Sequence, residues 1–234
     1  MEYFYTPPHN ISSHELTIDG DEFVHLAHVM RKKSGDTIRV VNGMGTAYDA
    51  TIVEVGKRTA RCEITGTHAR LNEPAIDVTL GVAILKNASK FDFLVEKVTE
   101  LGVNTIVPLI TERTIPGHAK TGRWQKLALA AMKQSGRCVL PVVKELTRFD
   151  DFIVSPSPNS LRLIPHEKAD HGMRDTLHQH TPSLLTMCIG PEGGFSDEEI
   201  SRAHDAGFEA VSLGLRRLRT ETAAIVAAGL VLSA

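Results

Sequence analysis

Residues 76–110 constrain the fold most. An apolar run, IDVTLGVAIL, is followed by SKFDFLVEKVTELGV and then by a second apolar run inside NTIVPLI. In the middle segment Phe91, Leu94, Val95, Val98 and Leu101 recur at helical spacing, with Asp92, Glu96, Lys97 and Glu100 opposite. That is a helix with one buried face, and Gly102 stands where a left-handed residue would close it. The alternation continues: GRWQKLALAAMKQSG reads as a helix, SLRLIP and LLTMCIG as strands. Strands alternating with helices predict an α/β domain with a mainly parallel sheet, placed over residues 73–234.

Residues 1–72 have a different rhythm. IRVVNG, TAYDATIVEVG and TARCEITG alternate with period two, with turn signals at Asn42-Gly43, Gly56 and Gly66. EFVHLAHVMRKKSGD suits a short helix or turn. Short strands so closely spaced predict a small barrel, and LNEPAID, with Pro74, reads as the linker.

Composition narrows the partners. The 234-residue chain has a formal net charge of −2, whereas a broad nucleic-acid footprint makes a domain strongly basic. A local basic patch stays open. No run of about 18 apolar residues occurs, so no membrane span is expected. MEYFYTPPHN lacks the basic and apolar regions of a signal peptide. The three cysteines are far apart, with no CxxC pair, so neither a disulfide framework nor a zinc site is expected. These features predict a cytoplasmic protein. The histidines of HEKADHGMRDTLHQH match no metal-ligand spacing. They are read as a polar loop, and no metal is expected.

In parallel sheets ligands bind beyond the carboxyl ends of the strands. That points to Leu163, Ile164, Pro165 and His166, to Ile189, Gly190, Pro191, Glu192, Gly193 and Gly194, and to Leu213, Gly214 and Leu215. Within IGPEGGFSDEEI, Ser196 and Glu199 form a capping box that starts a helix at Asp197, Phe195 and Ile200 form a hydrophobic staple, and Gly207 can end the helix. Three acids in the first turn occupy a helix end that a phosphate would need open. Neither GxGxxG nor GxxxxGK[ST] is present. The glycines read either as a wall for close backbone approach or as a tight turn. At the C-terminus, LGLRRLRTETAAIVAAGLVLSA bunches Arg216, Arg217, Arg219 and Glu221 at the head of an apolar segment.

IGPEGGFSDEE followed by LGLRRLRTETAA resembles the 16S rRNA uracil-N3 methyltransferase family, ribosomal RNA small subunit methyltransferase E. KNASKFDFLVEKVTELGVNTIVPLITERT, KQSGRCVLP and HLAHVMRKKSGDTIRVVNG resemble further family segments, so the likeness covers nearly the whole chain. The chain departs from the family pattern at Leu215 (usually Pro), Arg217 (usually apolar) and Lys133 (usually Glu).

The resemblance implies a SPOUT-type methyltransferase domain with a C-terminal trefoil knot, preceded by a PUA-like RNA-binding barrel. It implies S-adenosylmethionine in the knot, a homodimer, and a uridine of 16S rRNA in the small subunit as substrate. Leu163, Ile164, Leu213 and Leu218 would serve as apolar walls and the knot backbone, with His166 and Glu192, as further cofactor contacts. Uracil N3 carries a proton, so a general base, or a cation stabilising the anion, is needed. Glu221 and Arg219 are the candidates, and the alternative is that they pair with each other at the helix start. Arg31, Lys32 and Lys33, then Arg123, Arg137, Arg216 and Arg217, are the candidate RNA contacts. Residues 1–70 hold eight Lys and Arg against nine Asp and Glu, so such contacts need clustering in space. The last helix packs on a partner subunit or inside its own chain. Competing readings are a nucleotide-dependent α/β enzyme and a non-enzymatic rRNA-binding assembly factor.

Overall fold

A computed structural model describes residues 3–115, 117–180 and 182–232. The chain divides into two compact units: the stretch up to Glu73 with Leu129–Leu140, and Pro74–Ala128 with the chain from Pro141 on. Segment 129–140, which the sequence reading kept with the second domain, therefore groups with the first.

The first unit holds strands β1 (Tyr3–Tyr5), β2 (Glu15–Ile18), β3 (Thr37–Val41), β4 (Thr46–Val55) and β5 (Ala60–Ala69), with the short helix α1 (Gly20–Val24) and a π turn at His25–Val29. The sheet order is β1-β3-β4-β5-β2. All neighbours are antiparallel except β1 and β3. Phe4, Leu16, Ile18, Phe23, Leu26, Ile38, Val40 and Ile52 point inward to one core. Asn42-Gly43 makes the expected turn: the Asn42 side-chain oxygen accepts from the amides of Met44 and Thr46, and Gly43 has φ 73°. Gly66 does not make a turn. It lies inside β5, where the register with β4 slips beside Asp49, and an added Cβ would sit 3.3 Å from the Asp49 carboxylate. A glycine inside a strand marks such a bulge.

Segment 129–140 is fastened to this unit by a buried ion pair. The Arg137 guanidinium donates to Glu73 at 2.7 Å, with side-chain exposures of 2% and 0%. The amides of Cys138 and Val139 donate to the other Glu73 oxygen, each at 2.8 Å. Arg137 is thus not the surface RNA contact the sequence suggested. Lys133 pairs with Glu22, so its departure from the family's usual Glu has a local partner of opposite sign.

The second unit is built on strands β6 (Asp77–Ala83), β7 (Thr105–Ile110), β8 (Val142–Val143), β9 (Thr147–Arg148), β10 (Leu161–Pro165), β11 (Leu184–Ile189) and β12 (Glu209–Val211). The order is β12-β10-β11-β6-β7-β8, with β9 also on β7, and every pair is parallel. The helices are α2 (Ala88–Leu101), α3 (Thr121–Ser135, whose end belongs to the first unit), α4 (Phe149–Val154), α5 (Met173–Gln179), α6 (Asp197–Asp205) and α7 (Thr220–Leu232). Gly102 closes α2 at φ 119°. Gly81 in β6 lets the Phe152 ring lie against the strand, since an added Cβ would meet it at 2.7 Å. The segment expected as a polar loop is partly helical: α5 buries Met173 and Thr176 while Arg174, Asp175, His178 and Gln179 are exposed. Two buried side chains in an otherwise polar stretch leave little periodic signal. No helix among the described residues is long and apolar enough to cross a membrane.

Candidate active site

Register places the candidate loops at one end of the sheet. Pro165 pairs with Val211, Ile189 with Val82, and Val82 with Pro108. Because the strands are parallel, the chain leaves β6, β7, β10, β11 and β12 at the same edge. Inserting β11 between β10 and β6 brings the Gly190 loop between the His166 and Lys86 loops.

The Gly190 loop is held from both sides. Arg113, just after β7, donates to the carbonyl oxygens of Gly193 (2.7 Å) and Phe195 (3.3 Å). Arg217 reaches the Glu192 carbonyl at 3.4 Å. The Gly194 amide closes a turn onto Pro191 O, and Gly194 has φ 70°. An added Cβ on Gly190 would press on Gly194 and Phe195 at 3.2 Å. The capping box of α6 is present, and Phe195 and Ile200 join one apolar cluster. Buried Glu199 also accepts from the amide of Glu112, while the Ser196 hydroxyl donates to the Glu112 carboxylate. The helix end is thus filled by the chain's own carboxylates.

The third loop leaves β12. The Ser212 amide donates to His171 O, Met173 N–H donates to Ser212 O, and Gly214 has φ 114°. Leu215, Arg216, Arg217 and Arg219 are exposed, whereas Thr220 and Glu221 are buried. Leu213 and Leu218 keep accessible surface. Leu163 (0%) and Ile164 (1%) do not. The expectation that those two supply apolar walls is corrected: their side chains belong to the core, and only their backbone is left for a ligand. The Ile189 side chain is likewise buried.

Glu221 does not pair with Arg219. Its Oε1 lies 2.9 Å from the Lys90 ammonium of α2, and its Oε2 is buried with no hydrogen-bond partner. Burial pushes the Glu221 carboxyl up. The Lys90 hydrogen bond, its own backbone amide and the charges of Lys90 and Arg219 outweigh burial and hold it below the usual carboxylate range. The sequence reading missed Lys90, because nothing local to α2 announces a partner some 130 positions further along the chain.

The candidate RNA residues are scattered in their roles. Arg31 and Lys33 are exposed and Lys32 half-buried. Arg31 has φ 53°, a conformation that costs a side chain other than glycine and recurs at functional loops. Val29 and Met30, which immediately precede it, are exposed, as is Val24. Arg123 is exposed but forks onto Asp92 at 2.9 and 3.0 Å.

Comparison with known proteins decides the family. A family profile described as an RNA methyltransferase domain matches residues 72–232, and one described as an RNA methyltransferase PUA domain matches residues 18–65. The ribosomal RNA small subunit methyltransferase E of Synechocystis sp. is 34% identical over 225 residues, 94% of this chain and 73% of that one. The chain belongs to this family. The enzyme of the same name from Mesomycoplasma hyopneumoniae is 36% identical over 159 residues, 66% of this chain and 68% of its own. A crystal structure of a ribosomal RNA small subunit methyltransferase E from Neisseria gonorrhoeae bound to S-adenosyl methionine superposes with a TM-score of 0.88 at 32% identity, covering 97% of this chain and 95% of that one. A putative methyltransferase from Legionella pneumophila, also with bound cofactor, gives 0.84 at 31%, covering 99% and 96%. Within the family frame the two loop departures are surface features: Leu215 is fully exposed, and Arg217 braces the Glu192 carbonyl.

Proposed function

We propose that this protein transfers the methyl group of S-adenosylmethionine to N3 of a uridine in 16S rRNA of the small ribosomal subunit. One observation carries the chemistry: a buried glutamate, fixed by Lys90 through one oxygen, keeps its second oxygen unpartnered at the loop edge of the sheet.

The residues present fit the cofactor. Gly190, Gly193 and Gly214 present backbone without side chains, and Leu213 and Leu218 add apolar surface. An adenosyl group that is uncharged at its base end suits such walls. A phosphate does not, because Ser196, Glu199, Asp197 and Glu198 already fill and surround the α6 N-terminus. This disfavours the nucleotide-dependent alternative. When bound, S-adenosylmethionine supplies an electrophilic methyl group on sulfur.

The chain's own residues do the rest. Glu221 Oε2 accepts the uracil N3–H, orienting the ring and taking its proton as N3 gains the methyl group. A carboxylate held below its usual range is a weak base, so stabilisation of the uracil anion matters as well. The exposed Arg219 guanidinium reaches out for a uracil oxygen, where a planar fork of donors offsets the developing charge. Lys90 keeps Glu221 ionised and aimed. Arg31, Lys32, Lys33, Arg216 and Arg217 serve the phosphate backbone.

In this reading the N-terminal sheet is a PUA-like barrel, the loops after β10, β11 and β12 form a trefoil knot, and the apolar α7 packs on a partner subunit in a cytoplasmic homodimer. Calorimetry with S-adenosylhomocysteine, with and without chelator, tests the cofactor assignment. Binding of equal strength in both supports it, and absence of heat with folded protein removes it.

A further inference from the structure

A cavity of about 100 Å³ opens beside the head of α2, and none of the residues assigned to the cofactor lines it. Ile84, Phe91 and Trp124 line its apolar part, and Lys86, His118 and Lys120 its mouth. The Phe91 and Trp124 rings lie 4.2 Å apart at 32°. The indole Nε1–H donates to Asp92 Oδ1 at 3.0 Å, which fixes the ring. Asp92 is itself occupied by Arg123, and Glu145 by Thr121. Among the described residues no carboxylate pairs with Lys86 or Lys120, and both are exposed. Two unpaired ammonium groups at the rim of a rigid apolar hollow are an unusual use of surface, because exposed cations ordinarily remain dispersed in solvent.

Size and charge select the occupant. An enclosed cavity of about 150 Å³ takes a benzene, so an open one of about 100 Å³ takes one six-membered ring with its substituents outside. The rim asks for an anion held just beyond that ring. A pyrimidine nucleotide has this layout. The location agrees: Lys86 precedes Lys90 by four residues, and Lys90 holds Glu221.

Resting on the RNA-methyltransferase reading above, we propose that this cavity holds a pyrimidine nucleotide of the RNA next to the methylated uridine. The base enters the hollow above the buried Phe91 and Trp124 rings, and its phosphate lies between Lys86 and Lys120. Such a contact would keep the strand splayed while the target base stands out of its stack.

Trp124 is the single tryptophan of the chain, so its fluorescence reports on the cavity directly. Uridine 5′-monophosphate is titrated with and without saturating S-adenosylhomocysteine, against wild type and K86A/K120A. The expected result is a saturable change in both conditions, at least tenfold weaker in the double variant. The double variant should retain wild-type S-adenosylhomocysteine affinity. It should also bind unmodified small subunits with a log K against log salt slope shallower by about 1. A Trp124 signal that stays silent, that S-adenosylhomocysteine abolishes, or that ignores the two lysines overturns the proposal. Failure of S-adenosylhomocysteine to bind at all overturns the functional reading instead.

Discussion

At the scale of single residues, the Lys90–Glu221 pair holds the most information. Leaving one carboxylate oxygen buried and unpartnered costs free energy, and a ligand hydrogen bond would recover it. Glu221→Gln keeps the shape and removes the proton acceptor, so turnover should drop about 10²–10⁴-fold while calorimetry finds cofactor affinity nearly unchanged. Wild-type turnover in that variant would take Glu221 out of the mechanism and leave Arg219 or water. Arg219→Lys should also be slow, because the charge stays and the fork is lost. The same pair sets a pH dependence. The folded carboxyl is held below its ordinary value of 4.5, so its contribution to stability is present above that value and fades as pH falls through the lower, folded one. Acid unfolding followed by circular dichroism should therefore show Glu221→Gln losing less stability than wild type below about pH 4.5; parallel curves would contradict the assignment of that shift.

At the scale of elements, fastening matters more than propensity. The Glu73 and Arg137 side chains are buried and both Glu73 carboxylate oxygens are used. Removing one partner strands the other, so Arg137→Ala should cost about 3–5 kcal/mol in urea unfolding of the full chain. Unchanged stability with weakened RNA binding would return Arg137 to the RNA surface. Ser196→Ala removes a cap that also ties α6 to Glu112, and about 0.5–2 kcal/mol is expected in the same assay. These two sites mark what the sequence could tell. The Ser196–Glu199 box and the Gly102 stop were legible because their signals lie within a few residues of each other. Gly66 looked like a turn because a bulge and a turn both call for glycine. Arg137, Lys90 and the core positions of Leu163 and Ile164 were not legible as such. Each depends on what another element places opposite it, and a lone sequence does not contain that register.

At the scale of the whole molecule, the α/β domain with its mainly parallel sheet was predictable from strand–helix alternation. The order β12-β10-β11-β6-β7-β8 was not, since periodicity says nothing of which strands meet. The knot comes from resemblance alone, whereas the small barrel was read from the closely spaced short strands of residues 1–72. The helix α7 is apolar on all sides, with charge only at its head, and several of its residues stay half-buried. A second copy packed there, burying upwards of about 1,200 Å² in total, should appear in sedimentation as a dimer at micromolar concentration. An active monomer under those conditions would contradict that part of the account. The most direct measurement is transfer itself. Protein and S-adenosylmethionine carrying a labelled methyl group are incubated with unmodified small ribosomal subunits, and the rRNA is digested to nucleosides. The account predicts label in 3-methyluridine, accumulating about 10²–10⁴-fold more slowly with Glu221→Gln; label in any other nucleoside, or none with folded wild-type protein that binds the cofactor, would contradict it.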